Sequence, residues 1–264
     1  MLGAIIGDTI GSVYEWNNIK TKEFPLFTQR STFTDDSVMT VAVAHACLNA
    51  ASAGGELSKP ELVSLMQSYG RRYPDAGYGG RFHRWINSRH PKPYNSFGNG
   101  SAMRVSPVAW VADDLETVER LAAASAEVTH NHPEGIHGAQ AVAGCILLAR
   151  QGASNQAIRA YAEEVHGYDL AFTLDEIRPE YAFDVSCQGS VPQAIVALLE
   201  STSFEDAIRN AISIGGDSDT IAAIAGSIAQ GRYGVPDELA EEVARRLPEH
   251  LRSTVTRFCE RFVS

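Results

Sequence analysis

The chain has 264 residues and a formal net charge of −10, from 22 Lys and Arg against 32 Asp and Glu. Hydrophobic residues make up 44% and charged residues 20%, which excludes a disordered or fibrous protein. An acidic chain also argues against a general nucleic-acid or membrane-surface binder, since both need a basic face. Residues 71–104 nevertheless carry +6, which leaves −16 on the rest of the chain. This basic segment indicates either a local anionic ligand or a solvated loop.

The N-terminal segment predicts neither an anchor nor a secretory signal. Residues 1–16 are apolar, but they lack a basic start and include Asp8 and Glu15. No apolar run approaches the roughly 18–20 residues of a membrane span. Four cysteines stand far apart, without the spacing of a zinc or redox motif: Cys47, Cys145, Cys187 and Cys259. We therefore expect a reduced, cytoplasmic protein.

The first predicted helix carries two lines of unusual residues. Gly3, Gly7 and Gly11 recur at every fourth position, and each interior glycine costs a helix about 0.5–1 kcal/mol relative to alanine. Close packing against a neighbouring element should offset that cost. A second line of the same predicted helix contains Asp8, Ser12 and Glu15. We interpret Asp8 as a buried group bonded to backbone N–H groups, whereas Glu15 fits a structural or a functional role equally well.

Helical spacing of apolar residues continues through most of the chain. The predicted helices after the first are 34–49, 60–72, 115–128, 133–151, 155–165, 191–200, 204–214, 219–230 and 237–246. Residues 73–107 and 167–189 are predicted to be long loops, and a strand near 181–185 is only weakly indicated. No repeat or linker divides the chain. We therefore predict an all-α, compact orthogonal helical bundle that forms one domain over 1–264.

Two aspartate pairs stand at the starts of buried predicted helices, in the segments 34–37 (TDDS) and 215–220 (GGDSDT). Either segment alone is typical of a helix N-cap. Together, four carboxylates in one cleft would repel one another strongly, and hard divalent cations would relieve the repulsion. Two such ions could orient a diol or a phosphate and activate water. The sequence does not show whether the two segments meet.

Two further segments contain groups suited to an anionic ligand. The segment 96–101 (SFGNGS) would let backbone N–H groups approach phosphate oxygens, although an ordinary Asn-Gly turn explains it as well. The segment 129–135 (THNHPEG) joins two predicted helices and places Pro133 at a first helical position. Zinc binding by His130, His132 and His137 is disfavoured because nothing completes a tetrahedral set. A histidine that donates to a ligand is the better interpretation.

These segments together resemble the ADP-ribosylglycohydrolase family, which includes the dinitrogenase reductase-activating glycohydrolases. The matching motifs are 7–15 (GDTIGSVYE), 34–37 (TDDS), 98–104 (GNGSAMR), 130–135 (HNHPEG) and 215–220 (GGDSDT). They occur in the family's order between residue 3 and about residue 236. Each motif is modestly specific, whereas five in order are highly specific. Ser37 and Ser218 stand where many relatives have Thr, and Phe97 where some have Tyr.

The resemblance implies a helical fold whose cleft holds two Mg²⁺ or Mn²⁺ ions. By position, the metal ligands would be Thr34, Asp35, Asp36, Asp217, Asp219 and Thr220. Glu15 would be a mobile acidic residue near the metals and the scissile bond, and the catalytic pair would be Glu15 and Asp35. ADP-ribose would be held by Ser96, Phe97, Gly98, Asn99, Gly100, Ser101 and His130.

The activity that the resemblance implies is metal-dependent hydrolysis of the C1″ glycosidic bond between ADP-ribose and an acceptor. Two alternatives remain: an ADP-ribose binding module with weak or no activity, and a binuclear metal hydrolase of phosphoesters or pyrophosphates. The substrate would be an ADP-ribosylated protein, nucleic acid or small molecule, without membrane or general nucleic-acid binding. The acceptor itself would be chosen by the loops at 71–94 and 167–189.

Overall fold

Fourteen α-helices account for most of residues 1–263, the part of the chain that this computed structural model describes. In chain order they are α1 (Leu2–Gly11), α2 (Asp35–Ser52), α3 (Lys59–Arg72), α4 (Gly80–Ile86), α5 (Gly100–Met103), α6 (Leu115–Glu127), α7 (Pro133–Arg150), α8 (Asn155–Ala160), α9 (Leu174–Ile177), α10 (Cys187–Leu199), α11 (Phe204–Ser213), α12 (Ser218–Tyr233), α13 (Asp237–Arg246) and α14 (Glu249–Phe262). A 3₁₀ helix covers Ser106–Trp110, and a π-helical turn, Tyr161–Val165, continues α8. The only bridge between extended residues in this range joins Gly98 to Ser186. The all-α prediction is confirmed.

Most predicted helices occur within a few residues of their expected bounds, but the two segments predicted to be long loops contain helices. The segment 73–107 contains α4, α5 and the 3₁₀ helix, and 167–189 contains α9. α10 begins at Cys187, four residues earlier than predicted, because Ser186 caps it and Pro192 lies inside the helix. α14 was not predicted, although its buried residues Leu251, Val255 and Phe258 follow a helical period.

The central helix is α12, which packs against α1, α7, α10 and α11. Its residues from Ser218 to Gln230 are all buried, as an apolar run without a polar face requires. Both α2 and α7 are buried on nearly every side as well. The start of α12 therefore lies deep in the molecule, and the polar residues there face other polar groups.

The glycine line of α1 explains how α1 and α12 come so close. A Cβ on Gly7 would lie 2.0 Å from the Ala222 carbonyl oxygen, and one on Gly11 would lie 2.5 Å from Asp219 Cα. The predicted close packing is therefore present, and the partner is α12. α1 ends at Gly11, however, so Glu15 lies in the turn beyond the helix and the predicted helical line to Glu15 was wrong.

None of the helices in residues 1–263 combines the length and the apolar character that crossing a membrane requires.

Candidate active site

A cavity of about 410 Å³ opens where the starts of α2 and α12 meet the turn after α1. It is also lined by the start of α4, by the 94–104 segment and by Phe183 and Val185. Most of the sequence-predicted site residues line it: Glu15, Asp35, Asp36, Ser96, Gly98, Asn99, Gly100, His130, Asp217, Asp219 and Thr220. Thr34, Phe97 and Ser101 do not. The two aspartate segments, 180 residues apart, therefore meet.

Close packing of α1 on α12 assembles one part of the acidic cluster. Because Gly11 lies against the backbone of Asp219, the turn after α1 passes directly over the start of α12. Carboxylate oxygens of Glu15, Asp217 and Asp219 consequently lie within 4.8 Å of one another. This is the only group of three acidic, His or Cys side chains with such spacing in residues 1–263, and it contains no histidine.

Asp8 holds the other aspartate segment in place. Its carboxylate accepts the backbone N–H of Thr34 at 2.9 Å and that of Ser37 at 3.1 Å, and both hydroxyls also donate to it. Asp8 thus satisfies donors at the N-terminus of α2 from a neighbouring helix, as expected of a buried carboxylate bonded to backbone. The Thr34 hydroxyl is occupied in the same network, since it donates to Asp8 at 2.7 Å.

Asp36 has an unsatisfied carboxylate oxygen. Its Oδ2 accepts a hydrogen bond from the Thr220 hydroxyl at 3.2 Å, which joins α2 to α12. The buried Oδ1 has no hydrogen-bond partner among residues 1–263. Because a buried polar oxygen without a partner is costly, this atom fits a ligand of a bound cation.

Burial and mutual repulsion disturb the protonation of the whole cluster. Burial, followed by the charges of Asp8 and Asp217, raises the pKa of Asp35 to about 8. Burial and the Asp217 charge raise the pKa of Glu15 to about 7. The pKa values of Asp36 and Asp219 lie well above the usual range, because both groups are buried and close to other carboxylates. These carboxyl groups resist ionisation without a bound cation. Such a group of oxygen donors fits Mg²⁺ or Mn²⁺, because the charge of the ion would stabilise the ionised carboxylates.

Asn18 is a site residue that sequence reasoning missed. Its Nδ2 donates to the carbonyl oxygens of Tyr14 and Glu15 at 2.8 Å and to that of Gly216 at 3.0 Å. Its Oδ1 accepts the Gly216 N–H at 2.7 Å. Asn18 therefore joins the turn that carries Glu15 to the turn that precedes Asp217. No spacing rule links positions 18 and 216, so no pattern in the sequence predicts this contact.

Asn99 connects the glycine-containing segment to the acidic cluster. Its side-chain amide donates to Asp217 Oδ2 at 2.7 Å and to the Ser190 hydroxyl at 2.9 Å. Both amide hydrogens are therefore used within the protein. These bonds fix the carboxylate of Asp217 and tie it to α10, so Asn99 has a positional role that the loop interpretation did not include.

The N–H groups of the 96–101 segment are only partly free. The Gly98 N–H is 3.2 Å from the Ser96 hydroxyl, and the Asn99 N–H donates to the Val185 carbonyl at 2.7 Å. In the described chain, the N–H groups of Gly100 and Ser101 have no protein acceptor. The Ser101 hydroxyl donates to the Gly135 carbonyl at 2.7 Å, away from the cavity. Gly100 lines the cavity whereas Ser101 is buried behind it, so an anion at this loop would meet the N–H group of Gly100.

His130 faces this loop from the opposite wall. Its Nδ1 lies 2.7 Å from the Thr129 hydroxyl, which also accepts a hydrogen bond from Arg104 at 2.8 Å. Its Nε2 points towards Gly98 and Gly100, because a Cβ on Gly100 would lie 3.2 Å from that atom. Burial and the charges of Arg104 and Arg81 hold the pKa of His130 well below its usual range, so the ring is neutral.

Arg104 is mainly a structural residue. Its guanidinium is buried and donates to the Gly100 and Ser125 carbonyls as well as to Thr129. It thereby links α5 to the end of α6 and to the His130 turn. Among the cations of the basic segment 71–104, Arg104 therefore supports the 96–101 loop from inside the protein.

The mouth of the cavity is aromatic on one side. Trp16 and Phe183 stack with ring centroids 5.2 Å apart and remain 76% and 43% exposed. On the other side, Arg81 lies over the Tyr94 ring at 5.0 Å and donates to the Tyr94 carbonyl. The mouth therefore offers both apolar faces and a cation to whatever extends out of the cavity.

Comparisons with known proteins agree with this arrangement. The ADP-ribosylglycohydrolase family model matches residues 1–264. ADP-ribosylhydrolase ARH3 of Mus musculus is 27% identical over 89% of this chain and 83% of that protein, and the Homo sapiens protein is 26% identical over 91% and 86%. ADP-ribosylarginine hydrolase Tri1 of Pseudomonas putida (strain GB-1) is 30% identical over 56% of this chain and 42% of its own length. A solved structure described as an ADP-ribosylglycohydrolase-related protein complex has the same fold, with a TM-score of 0.69, 22% identity, and coverage of 97% of this chain and 95% of that chain.

Proposed function

Because the chain belongs to the ADP-ribosylglycohydrolase family, we propose that its cavity hydrolyses the C1″ glycosidic bond between an ADP-ribosyl group and its acceptor. The observation that carries this proposal is the meeting of Glu15 with the aspartates of α2 and α12 beside the 96–101 loop. The acidic cluster suits a ribose diol held through cations, and the loop with His130 suits the diphosphate. Water would add its hydroxyl to C1″, and the acceptor would leave with the proton.

The acidic cluster would hold two Mg²⁺ or Mn²⁺ ions. We assign their ligands to Thr34, Asp35, Asp36, Asp217, Asp219 and Thr220. Thr34 would bind through a lone pair of the hydroxyl oxygen whose hydrogen goes to Asp8. When bound, the ions supply Lewis-acid contacts to hydroxyl groups and lower the pKa of bound water. The unsatisfied Oδ1 of Asp36 and the oxygen-only donor set support this assignment.

Glu15 would move the proton. Its carboxyl is half-buried at the cavity edge, next to Asp217 and Asp219, and it lies on a turn rather than inside a helix. A carboxyl in this position can accept a proton from water or give one to the leaving acceptor. Asp35 would hold the reacting groups from the start of α2, whose position is fixed because the Asp35 backbone N–H donates to the Ala76 carbonyl.

The ADP-ribose would be bound along the 94–104 segment. The N–H group of Gly100 is available to a phosphate oxygen, Ser101 supports the loop from behind, and His130 Nε2 faces the same space as Gly100. Phe97 is 50% exposed and packs edge-on against His132, so its ring could take the adenine at the outer end. Ser96 and Gly98 line the cavity between these two positions. Asn99 acts in this arrangement by holding Asp217.

The decisive experiment offers the purified protein ADP-ribosylated arginine, serine and terminal-phosphate substrates, with Mg²⁺ or Mn²⁺, and identifies the products by mass spectrometry. Free ADP-ribose is the expected product, and its yield across the panel identifies an N- or O-glycosidic bond. AMP would instead indicate a phosphoester or pyrophosphate hydrolase. Bound but uncleaved ADP-ribose would indicate a binding module. An Asp219→Asn variant should lose the release of ADP-ribose, and Asp237→Asn, which changes an exposed carboxylate at the start of α13, serves as its matched control.

A further inference from the structure

Six exposed cations precede, occupy and follow α4, whose first residues line the cavity. Two stand at the end of α3, two on one side of α4 and two in the segment after α4, and we call them the basic face: Arg71, Arg72, Arg81, Arg84, Arg89 and Lys92. All six side chains belong to exposed residues. The acidic cluster does not use them, so the proposed chemistry leaves them unexplained.

Hydrogen bonds hold the parts of this face together. Arg71 Nε donates to the Ile86 carbonyl at 3.0 Å, and Gln67 Nε2 donates to the carbonyls of Trp85 and Ser88 at 3.0 and 2.9 Å. Arg81 donates to the Tyr94 carbonyl at 2.6 Å, which joins α4 to the far end of the segment. The cations are therefore presented on a connected surface rather than on a free loop.

None of the six cations is neutralised by a neighbour. No ion pair within residues 1–263 includes any of them, whereas Arg209 and Arg246, for example, pair with Glu205 and Glu242. The sequence from 76 to 112 contains no Asp or Glu at all. In a protein of net charge −10, this surface is a confined region of positive potential that attracts an anionic partner.

The basic face continues into the cavity through Arg81. Arg81 lines the cavity together with Glu15, Trp16 and Phe183, so an acceptor that extends from the scissile bond has both a cation and the stacked rings within the same cavity wall. Repeated phosphates would suit the six cations, and exposed rings beside a cationic groove are typical of single-strand binding. An acidic peptide would use the cations but would have no planar bases for the Trp16 and Phe183 rings.

We propose that the acceptor is the end of a single-stranded nucleic acid, whose phosphates lie along the basic face. This inference rests on the proposed function and names its substrate class. With the ADP-ribosyl group on a terminal phosphate, the C1″–O bond breaks, the hydroxyl of water goes to C1″, and the proton goes to the released phosphate. The negative charge elsewhere on the protein confines the strand to this face.

The test compares two substrates that carry the same bond. One is a short single strand of about a dozen nucleotides with ADP-ribose on its terminal phosphate, and the other is a mononucleotide with the same modification. The face variant combines Arg84→Glu, Arg89→Glu and Lys92→Glu, none of which lines the cavity. Its matched control combines Arg30→Glu, Arg257→Glu and Arg261→Glu, which change three exposed cations without ion pairs elsewhere and shift the net charge equally.

The face variant should lose about tenfold or more in kcat/KM on the strand and almost nothing on the mononucleotide. The slope of log kcat/KM against log salt should also become shallower by about 2, since about 0.7 counterions are released per phosphate of a single strand. The control variant should resemble the unchanged protein on both substrates. Equal losses on both substrates, or the same loss in the control variant, would overturn the proposal.

Two further arms separate this proposal from others. If the face variant loses cleavage of an ADP-ribosylated acidic peptide but retains cleavage of the strand, the face serves a protein acceptor and the proposal fails. If the unchanged protein cleaves neither nucleotide substrate, fluorescence anisotropy of the unmodified strand still tests the face. If the face variant binds the strand more weakly than the control variant does, the basic face is a strand-binding surface even though the proposed cleavage fails. Equal binding by the two variants would overturn the proposal.

Discussion

The side chain of Asn18 binds both backbone polar groups of Gly216. Its Oδ1 accepts the Gly216 N–H at 2.7 Å, and its Nδ2 donates to the Gly216 carbonyl at 3.0 Å. Gly216 has a φ of +74°, and a Cβ there would lie 2.3 Å from the Tyr181 ring. Glycine therefore allows the left-handed turn before Asp217 to pack against Tyr181 while Asn18 bonds both of its backbone polar groups. The same amide donates to the Glu15 carbonyl, so one side chain sets the separation of Glu15 and Asp217.

An Asn18→Ala substitution should disconnect these two turns. Each lost hydrogen bond contributes about 0.5–1.5 kcal/mol, and a shift of about 1 Å in a reacting group can cost about 100-fold in rate. We expect kcat to fall about 10- to 100-fold while KM changes little, because Asn18 does not line the cavity. The check is steady-state kinetics with Asn155→Ala as control, since Asn155 bonds one carbonyl at an exposed site. A pure rise in KM would contradict a positioning role.

A Glu15→Gln substitution should remove proton transfer but leave the cavity intact. General acid–base catalysis by one residue contributes about 100- to 10,000-fold, so kcat should fall by that range with KM nearly unchanged. The matched control is Glu23→Gln, which changes an exposed glutamate that forms no ion pair in the described chain. Retention of full activity by Glu15→Gln would assign the proton transfer to another group.

The sequence predicted the helices from local apolar spacing, and its failures have local causes. α4 is seven residues long and buries only Phe82, Trp85 and Ile86, so too few turns reveal its period among glycines and arginines. α10 begins before the predicted residue 191 because Ser186 caps it and the helix accommodates Pro192 in its interior, where proline usually breaks a helix. The close packing of α1 was predictable from Gly3, Gly7 and Gly11, but the identity of its partner was not.

For the candidate site, the sequence indicated which groups matter but not how they are held. The aspartates of α2 and α12 could be named from their motifs, since helix starts and hydroxyl neighbours are local features. The contacts of Asn18 with Gly216 and of Asn99 with Asp217 join residues 198 and 118 positions apart, so only the fold reveals them. The same holds for Arg104, whose charge suggested an anion site but whose guanidinium is buried against backbone carbonyls.

A Gly7→Ala substitution should push α1 away from α12. The new methyl carbon would lie 2.0 Å from the Ala222 carbonyl oxygen, which belongs to a backbone that cannot yield easily. We expect a loss of about 1–3 kcal/mol in the free energy of unfolding, the usual cost of overpacking. Urea denaturation is the measurement, with Gly80→Ala as control, where the methyl meets only Arg84 Nη1 at 3.9 Å. Equal stability of the two variants would contradict the close packing.

Divalent ions should stabilise the protein more as the pH rises. In the metal-free protein, the pKa of Asp35 is about 8 and that of Glu15 about 7, against about 3.9 and 4.3 in an unfolded chain. Between about pH 4 and 8 the folded state therefore binds more protons than the unfolded state. The metal-free protein consequently loses stability as the pH rises through that window. Bound Mg²⁺ favours the ionised carboxylates and removes this loss.

The measurement is the difference in Tm with Mg²⁺ and with EDTA at several pH values between 6 and 8.5. Taking the difference cancels the Met1 amine, whose pKa burial lowers to about 5, and the buried histidines such as His130. The Mg²⁺-dependent gain should grow steadily with pH. A gain that shrinks as the pH rises, or a pH-independent gain, would place the ion away from these carboxylates.

An Asp36→Asn substitution should raise stability and abolish activity together. Burial and the charges of Asp8 and Asp35 hold the pKa of Asp36 well above its usual range, so the metal-free protein gains when this carboxyl becomes neutral. Asn can still accept the hydrogen bond from Thr220, but it removes the ionised oxygen that fits a cation. At pH 8 in EDTA the variant should have a higher Tm than the unchanged protein, no further gain from Mg²⁺, and kcat lower by at least about 100-fold. If the variant still gains stability from Mg²⁺, Asp36 is not a ligand of the ion. If the variant is less stable than the unchanged protein in EDTA, the Asp36 carboxyl does not destabilise the metal-free cluster.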